Sequence, residues 1–476
     1  MISPAAGASR SEDGSGFAPW LLAAAVLLSR ARFLTPGYGV DADAWRLAAD
    51  GRAIATTGIY GAARSPGNPI VELGAAFAWR GGPLALNGLT ALFGALAVLA
   101  FALSLKRLGS RDWIWGALGL AFTPVIAVNS ANAMDYLWAL AFLLAAHDAA
   151  LRSRALEAGV MAGLAIGCRI TSMLLLPTFS LILYVRSPGP AARPRMIVLW
   201  LAAGLIGLAA YSPQILLTGV GFLHDYGHGY PPPLYVLKNA TVDVWGLIGC
   251  AALLVAAVAA LVRARRGDRE AALPGATPGL EIAWGLAIVL EGAMFLRLPH
   301  QAEYLIPAVP FVLLILARRL SPRAFRMLCA ALVVSAFALK VSEAGKPDSP
   351  RFTRASIPIG DGRRVLDLRG PLFTDHDRRV RGVAYAESVV AKAARLPAGS
   401  VVSASEWLPF IEVLIEGRQT ATTTFVYVLD PHELEQHLAA GDALYDLPGA
   451  EDYSRAVFGV SLHEHGSRPL AVGEGR

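Results

Sequence analysis

Apolar stretches long enough to cross a lipid bilayer recur along the first 341 residues of this 476-residue chain. A membrane-spanning helix needs about 20 mostly apolar residues, and about eleven stretches approach that length. They are Phe17–Leu34, Leu84–Leu105, Trp113–Asn129, Ala133–Ala150, Leu156–Cys168, Thr171–Val185, Met196–Thr218, Val242–Val262, Glu281–Leu296, Tyr304–Ala317 and Ala324–Val341. Because 55% of the residues are hydrophobic and only 16% are charged, we expect a polytopic α-helical membrane protein.

The distribution of Lys and Arg between these stretches predicts the side that each connection faces. Seventeen of them fall in one set of alternate connections, whereas the opposite short connections hold seven. Positive residues collect on the cytoplasmic side of membrane proteins. The N-terminus is therefore predicted to be cytoplasmic, and the first loop, residues 35–83, extracytoplasmic. We expect a multi-pass protein of the cell inner (plasma) membrane, and the net charge of +6 then requires no nucleic-acid partner.

Residues 342–476 differ in character, because charge, Pro and Gly rise and no run is long enough to span a bilayer. Short β-branched runs alternate here with helical runs. In chain order the segments are Ser400–Ser403, Ala404–Glu416, Thr422–Val428, Pro431–Ala440, Ala443–Leu447 and Ala456–Leu462. We therefore predict a membrane domain over residues 1–341 and a small C-terminal extracytoplasmic α/β domain over 342–476. A structural or substrate-shaping role is favoured for the second domain, since it lacks a phosphate loop, a metal-ligand spacing and a nucleophile motif.

The first external loop begins with a predicted helix that lies at the membrane interface. Apolar residues between Asp43 and Thr57 repeat at helical spacing, and Asp43, Arg46 and Asp50 then share one polar face. Gly58 is expected to end this helix.

A proline-rich turn follows in the same loop. Segment Ser65–Pro69 contains two prolines with restricted φ angles, which predicts that Arg64 is held in a defined place. A second short helix, Ile70–Trp79, would carry Glu72 back toward the membrane.

Two interfacial helices after the first span, an early aspartate and a proline turn before the second span resemble the GT-C superfamily of polyprenyl-phosphate-sugar-dependent glycosyltransferases. The similarity is greatest to the branch that contains protein mannosyltransferases, aminoarabinose transferases and lipopolysaccharide-core transferases. It covers about residues 15–340. The residues that carry it are Asp41–Trp45, Gly58–Tyr60, Arg64–Pro69, Gly163–Arg169 and His300–Pro307.

The resemblance implies a GT-C-like fold and a glycosyltransferase that takes a sugar from a polyprenyl-phosphate donor. Its partners would be that donor, membrane lipids, and an extracytoplasmic glycan, lipid or protein acceptor. Because the first external loop of the family carries the catalytic aspartate, the resemblance assigns the general base to Asp43, with Asp41 as the alternative or as its orienting partner. Asp is also favoured at helix N-termini, and this capping interpretation suits Asp41 better.

Such a reaction needs a carboxylate to deprotonate the acceptor and cationic groups to stabilise the departing phosphate. The polar residues predicted near the external membrane surface are candidates for substrate binding. They are Glu72, Arg64, Arg169, Lys238, Arg297, His300 and Glu303. Arginines at helix ends can instead extend to the headgroups, and Glu303 can pair with Arg297 or Arg169 in a structural role. A single active site requires a cavity that contains Asp43 and at least one of Arg64, Arg297 and His300.

Two other groups of polar residues have alternative interpretations. Asn129, Asn132 and Asp135 could line a sugar pocket, but helix capping is favoured. The segment His224–Tyr235 has the two-histidine, one-aspartate content of a metal site, yet its Gly and Pro content favours a loop over the lipid or acceptor entrance. The sequence thus indicates no cofactor, and no metal is assigned.

A transporter or flippase of lipid-linked sugars is the alternative function, since it would also bury charge within a helical bundle. A transporter is expected to show two similar halves and helices broken at the bilayer midplane. The polar residues of this chain cluster instead at one predicted surface, which favours chemistry there. A catalytically silent scaffold would leave the aspartate loop without a purpose.

Overall fold

A computed structural model of the chain describes residues 17–219, 221, 230–266, 271–343, 347–348, 356–359, 364–415 and 423–471. Within them, fifteen α-helices precede the first strand. These are α1 (Ala18–Arg30), α2 (Ala42–Thr57), α3 (Pro69–Ala78), α4 (Gly82–Arg107), α5 (Trp113–Phe122), α6 (Pro124–Asn129), α7 (Tyr136–Leu151), α8 (Ala155–Cys168), α9 (Leu176–Arg186), α10 (Ala192–Thr218), α11 (Pro233–Ala240), α12 (Val242–Arg266), α13 (Pro278–Arg297), α14 (Val309–Arg319) and α15 (Pro322–Phe337). Each of the predicted apolar stretches overlaps at least one of them.

Length and composition mark four of the described helical segments as able to cross a membrane. They are Pro69–Arg107, Ala192–Leu217, Val242–Arg266 and Pro278–Arg297. Four shorter apolar helical segments accompany them, over Trp113–Phe122, Tyr136–Leu151, Ala155–Cys168 and Ile170–Arg186. The protein is thus a bundle of apolar helices suited to a membrane, whereas the number of spans and the orientation of the termini stay predictions.

Small residues allow neighbouring helices of the bundle to approach closely. On α8, a Cβ atom added at Gly159 would lie 2.7 Å from the carbonyl oxygen of Leu199 on α10. One at Gly163 would lie 2.7 Å from Cβ of Ile206 on the same helix. Small residues four apart are a common means of packing helices in membranes, because they bring backbones into van der Waals contact.

Basic residues are paired with acids at the end of the bundle that is predicted to be cytoplasmic. Asp148 forms ion pairs with Arg107 and Arg152, each at 3.0 Å. Glu281 pairs with Arg318 and Arg319 in the same manner. Two acids thus each pair with two arginines on this side.

Strands and helices alternate in the remaining described residues. In chain order they are β1 (Ala338–Glu343), β2 (Ser356–Ile359), β3 (Arg364–Arg369), α16 (Pro371–Ala393), β4 (Ser400–Ser403), α17 (Leu408–Ile415), β5 (Thr423–Val426), α18 (Pro431–Ala440), β6 (Leu444–Asp446), α19 (Ala450–Phe458) and β7 (Arg468–Pro469). The first three strands form an antiparallel sheet in the order β1-β3-β2, and the others form a parallel sheet in the order β5-β4-β6-β7. The division of the chain into two domains at residue 341 stays a prediction.

The last apolar helix is shorter than the sequence predicts. It ends at Phe337 rather than at Val341, and β1 begins at once with Ala338. Val341 pairs with Leu366 in the antiparallel sheet, and the Lys340 ammonium pairs with Asp243 at 2.9 Å. Strand pairing and this ion pair therefore occupy residues that hydropathy alone assigns to a helix.

The long helix α16 was missed in the sequence, because its buried face carries polar residues. Thr374 and Arg379 lie on this face beside Leu372. Arg379 is 1% exposed and donates hydrogen bonds to the carbonyl oxygens of Ala131, at 3.1 Å, and Phe33. These bonds tie the C-terminal residues to the helical bundle.

Candidate functional site

A cavity of about 700 Å³ lies where the C-terminal residues meet the helical bundle. The start of α2, helix α6, the segment after α13 and the region of α11 form its walls on the bundle side. The opposite walls come from β1, α16, the segment before α17 and Tyr427. Asp43 and His300 both line it, so the cavity has the composition expected of a single active site.

Helix α2 has the predicted position, and its first turn places two carboxylates in the cavity wall. The Asp41 side chain caps the helix by accepting a hydrogen bond from the Asp43 backbone N–H at 2.9 Å. The helix ends where Gly58 adopts the left-handed conformation, with φ 71°. Arg46, one turn further along the helix, pairs with Asp43 at 2.8 Å. The capping interpretation of Asp41 is confirmed, and the Asp43 carboxylate takes no part in the cap.

Glu72 fixes the proline turn instead of facing the cavity. It is fully buried, and its carboxylate accepts hydrogen bonds from the backbone N–H groups of Ala63 and Asn68, both at 3.0 Å, and from the Tyr60 hydroxyl. These donors use both carboxylate oxygens. Glu72 therefore holds the turn that contains Arg64 and lies outside the cavity lining, and its assignment to substrate binding stays a prediction.

A chain of alternating charges runs from Asp43 into the bundle. The Arg64 guanidinium contacts Asp43 Oδ2 at 2.5 Å and Asp135 Oδ1 at 3.0 Å. Asp135 Oδ2 in turn contacts Arg169 Nη1 at 2.7 Å. Two arginines thus flank one buried aspartate directly behind Asp43. Guanidinium groups can bind phosphate through two parallel hydrogen bonds. In this structure both arginines contact acids, and neither is among the residues that line the cavity.

Asp135 makes ion pairs in place of the helix cap that the sequence favours. It occupies the N-cap position of α7, yet its side chain makes no capping hydrogen bond. Both of its oxygens contact arginine instead, and the side chain is 3% exposed. The available signal was its place inside the apolar stretch Ala133–Ala150, because an acid at that depth is costly unless it is paired.

Aromatic and amide side chains join the two ends of the charge chain. The Arg169 guanidinium lies over the ring of Tyr136, 4.5 Å from its centroid, and over that of Tyr304 at 5.0 Å. The Tyr136 hydroxyl donates to Gln301 Oε1 at 2.8 Å, and Gln301 Nε2 donates to Asp41 Oδ2 at 3.2 Å. Residues 260 positions apart are thereby linked in one closed network. Sequence reasoning did not single out Gln301 or Tyr136.

The remaining candidates divide into those that line the cavity and one that does not. Lys238, His300 and Glu303 line it, whereas Arg297 is exposed at the end of α13 and is absent from its lining. Lys238 pairs with Asp243 at 2.9 Å. Glu303 accepts a hydrogen bond from Asn129 at 3.4 Å, in place of the pairing expected with Arg297 or Arg169.

Burial affects the ionisation of two carboxyl groups of the cavity wall, Asp41 and Glu303. Burial raises the pKa of Asp41 above its ordinary value, and the nearby charge of Asp43 raises it further. Burial also raises the pKa of Glu303. A ligand that donates hydrogen bonds to these groups would therefore restore interactions that water supplies elsewhere.

The described residues contain no group of three or more His, Cys, Asp or Glu side chains that could hold a metal ion. His224, Asp225 and His228, whose content suggested a metal, lie outside the residues that the structure describes.

The contact between α2 and α17 is predicted to weaken as pH rises. Burial raises the pKa of Asp50 to about 6, and Glu412 on α17 adds repulsion. The folded protein thus retains a proton on Asp50 that the unfolded chain loses near pH 4. Stability should fall as pH rises from about 4 to about 6, and the loss should be complete above that range. Thermal unfolding of wild type and Asp50→Asn between pH 4.5 and 7.5 measures this.

Asp50→Asn is expected to flatten this pH dependence and to raise the unfolding temperature at pH 7.5. Asp452→Asn, at an exposed position of α19, is the matched control and should keep the wild-type slope. An Asp50→Asn slope equal to that of wild type would show that this carboxyl does not set the pH response.

Solved structures with a similar fold are two crystal structures of ArnT from Cupriavidus metallidurans. The apo structure has a TM-score of 0.51 at 13% sequence identity, over 88% of this chain and 87% of that one. The structure bound to undecaprenyl phosphate has a TM-score of 0.52 at 12% identity, over 90% and 88%. No protein-family model matches the chain, and no curated protein matches it in sequence. The resemblance noted in the sequence is thus confirmed at the level of the fold, because this chain has a fold similar to that of ArnT.

Proposed function

We propose that this protein is a membrane glycosyltransferase that moves a sugar from a polyprenyl-phosphate donor to a hydroxyl of an extracytoplasmic acceptor. The observation that carries the proposal is the position of Asp43. Its carboxylate lies between an open cavity and the paired arginines Arg64 and Arg169. A structure with the same fold is bound to undecaprenyl phosphate, and this supports a polyprenyl-phosphate donor.

Asp43 would act as the general base. In the reaction, an acceptor hydroxyl in the cavity attacks the anomeric carbon of the sugar, and Asp43 takes the hydroxyl proton. The bond between the anomeric carbon and the phosphate oxygen breaks, and the bonding electrons leave with the lipid phosphate. A positioned base of this kind contributes about 10²- to 10⁴-fold to the rate.

Arg64 and Arg169 would stabilise the negative charge that develops on the leaving phosphate. Stabilisation is strongest when the donors are held in place before the reaction, because no reorganisation is then needed. Asp135 supplies this order, since it separates two like charges and contacts both of them. It is a positioning residue in this scheme.

Donor turnover by the purified full-length protein tests the function. The protein in detergent is incubated with radiolabelled polyprenyl-phosphate sugars and with membrane extract as acceptor. We expect one donor to lose its sugar to material in the extract, and heat-inactivated protein to transfer none. A wild-type protein that consumes none of the donors, but moves one of them across a vesicle membrane, would contradict the transferase and support a flippase.

A further inference from the structure

The cavity contains more carboxylates than cations among its described lining residues. Its acids are Asp41, Asp43, Asp243, Glu303, Asp348, Asp375 and Glu406, and its Lys and Arg residues are Arg46, Lys238, Lys340 and Arg378. Every one of those four cations already contacts an acid. Arg46 pairs with Asp43, both lysines pair with Asp243, and Arg378 contacts Asp348 at 2.5 Å.

Four acids of the wall stand outside these pairs. Asp41, Glu303 and Glu406 face the cavity, and Asp375 lies 3.4 Å from Arg379, which is outside the lining. Burial raises the pKa of Asp375, as it does for Asp41 and Glu303. Asp41, Glu303 and Asp375 accept hydrogen bonds from the protein, but a carboxylate has about four acceptor sites and can accept more from a ligand.

An amide in the same wall has an unused acceptor. Asn132 is 7% exposed, and its side chain hydrogen bonds to Asp375. Its Oδ1 atom has no hydrogen-bond partner within the part of the chain that the structure describes. A buried acceptor without a donor is costly, so this atom is suited to an O–H group of a ligand.

Aromatic residues form the wall that faces Asp43. Trp407 and Tyr427 are half-buried and line the cavity from the C-terminal side. Arg46 links the two walls, because it pairs with Asp43 and lies 5.8 Å from the centroid of the Tyr427 ring. Aromatic rings offer large apolar surfaces beside polar groups, and the C–H faces of a sugar ring complement such surfaces.

We propose that the cavity binds an uncharged glycan as the acceptor. Its hydroxyls would donate hydrogen bonds to Asn132 and to the four acids outside the ion pairs of the lining, and one face of a sugar ring would pack on Trp407 and Tyr427. Those acids are Asp41, Glu303, Asp375 and Glu406. The transfer of a sugar to this glycan rests on the proposed transferase function, whereas the binding of the glycan does not depend on it. The same wall discriminates against a phosphorylated acceptor, because its acidic residues outnumber its Lys and Arg residues and a phosphate would meet net negative charge.

Binding of an uncharged hexose oligosaccharide and its singly phosphorylated counterpart tests the proposal. The affinity of each for the full-length protein in detergent is measured by calorimetry without any donor. The uncharged glycan is expected to bind about tenfold more tightly. Glu406→Lys, at an exposed position, should reduce that ratio by about threefold or more because it reverses one charge. Equal or tighter binding of the phosphorylated glycan to wild type would overturn the proposal.

The aromatic wall has its own variant and control. Trp407→Leu is expected to weaken binding of the uncharged glycan about fivefold or more, whereas Trp115→Leu, at an exposed position of α5, should leave it unchanged. Equal losses in both variants, or no loss in Trp407→Leu, would contradict the aromatic contact. If Trp407→Leu does not fold, the Glu406→Lys ratio decides the proposal.

These outcomes are distinct from those of the transferase test. Glycan binding without donor turnover would reject the transferase and retain the glycan site. Donor turnover with a preference for the phosphorylated acceptor would retain the transferase and reject the acceptor class.

Discussion

Asp43→Asn is expected to lower the rate of sugar transfer by about 10²- to 10⁴-fold, because the amide cannot accept the acceptor proton. The substitution preserves size and hydrogen-bonding shape. It keeps one oxygen for Arg64, so the protein should remain folded with a modest fall in its unfolding temperature. Transfer from the donor identified in the turnover screen is measured at saturating acceptor, together with thermal unfolding of the same preparation.

Asp41→Asn is the matched control, two residues away in the same wall. Asn caps helices about as well as Asp, so helix α2 should begin at the same residue. Loss of charge at Asp41 is expected to change the rate far less than loss at Asp43, since Asp41 contacts the Asp43 backbone and Gln301 instead of the arginines. A large loss in Asp41→Asn alone would transfer the role of base to Asp41. Wild-type rates in both variants would reject both assignments.

Asp135→Asn is expected to destabilise the protein by about 3–5 kcal/mol, because removal of one partner from a buried ion pair leaves its charge uncompensated. Here two guanidinium groups lose their shared partner at once. The measurement is the unfolding temperature in detergent. A fall in unfolding temperature equal to that of the Asp148→Asn control would show that Asp135 does not stabilise the protein by compensating the buried charges of the two arginines.

Asp148→Asn provides that control at the other end of the bundle. Asp148 also contacts two arginines, but Arg107 and Arg152 are 35% and 27% exposed, and water can replace the lost contact. Its variant should therefore be destabilised less than Asp135→Asn.

Undecaprenyl phosphate adds a second measurement to this pair of variants. If Arg64 and Arg169 bind the lipid phosphate, the added anion should raise the unfolding temperature of Asp135→Asn more than that of wild type or Asp148→Asn. Equal increases in all three proteins would indicate that the lipid binds without these arginines.

Local interactions explain which parts of the site could be predicted. Helix α2 was predictable because its apolar spacing, its Asp41 cap and its terminal Gly58 are neighbours in sequence. The proline turn likewise predicted a fixed Arg64. The contacts of Glu72 could not be predicted, because its partners at Ala63 and Asn68 are backbone N–H groups that no side-chain pattern reveals.

Long-range pairing explains what could not be predicted. The bridge from Asp135 to Arg64 and Arg169 joins three separate segments. The hydrogen bond from Gln301 to Asp41 joins residues that are 260 positions apart in the chain. The first half of α16 carries Thr374 and Arg379 on its buried face, because Arg379 there donates hydrogen bonds to carbonyl groups of the helical bundle.

The sequence by itself determined the apolar helices, helix α2 with its two acids, and the concentration of basic residues in one set of connections between apolar stretches. These follow from solubility in lipid, from helical periodicity and from capping, all of which act over a few residues. Only the tertiary structure decided that Asp135 holds two arginines behind Asp43, and that the C-terminal residues close the cavity with Trp407 and Tyr427. Burial and ion pairing depend on which distant side chains meet, so neither could be read from the order of residues alone.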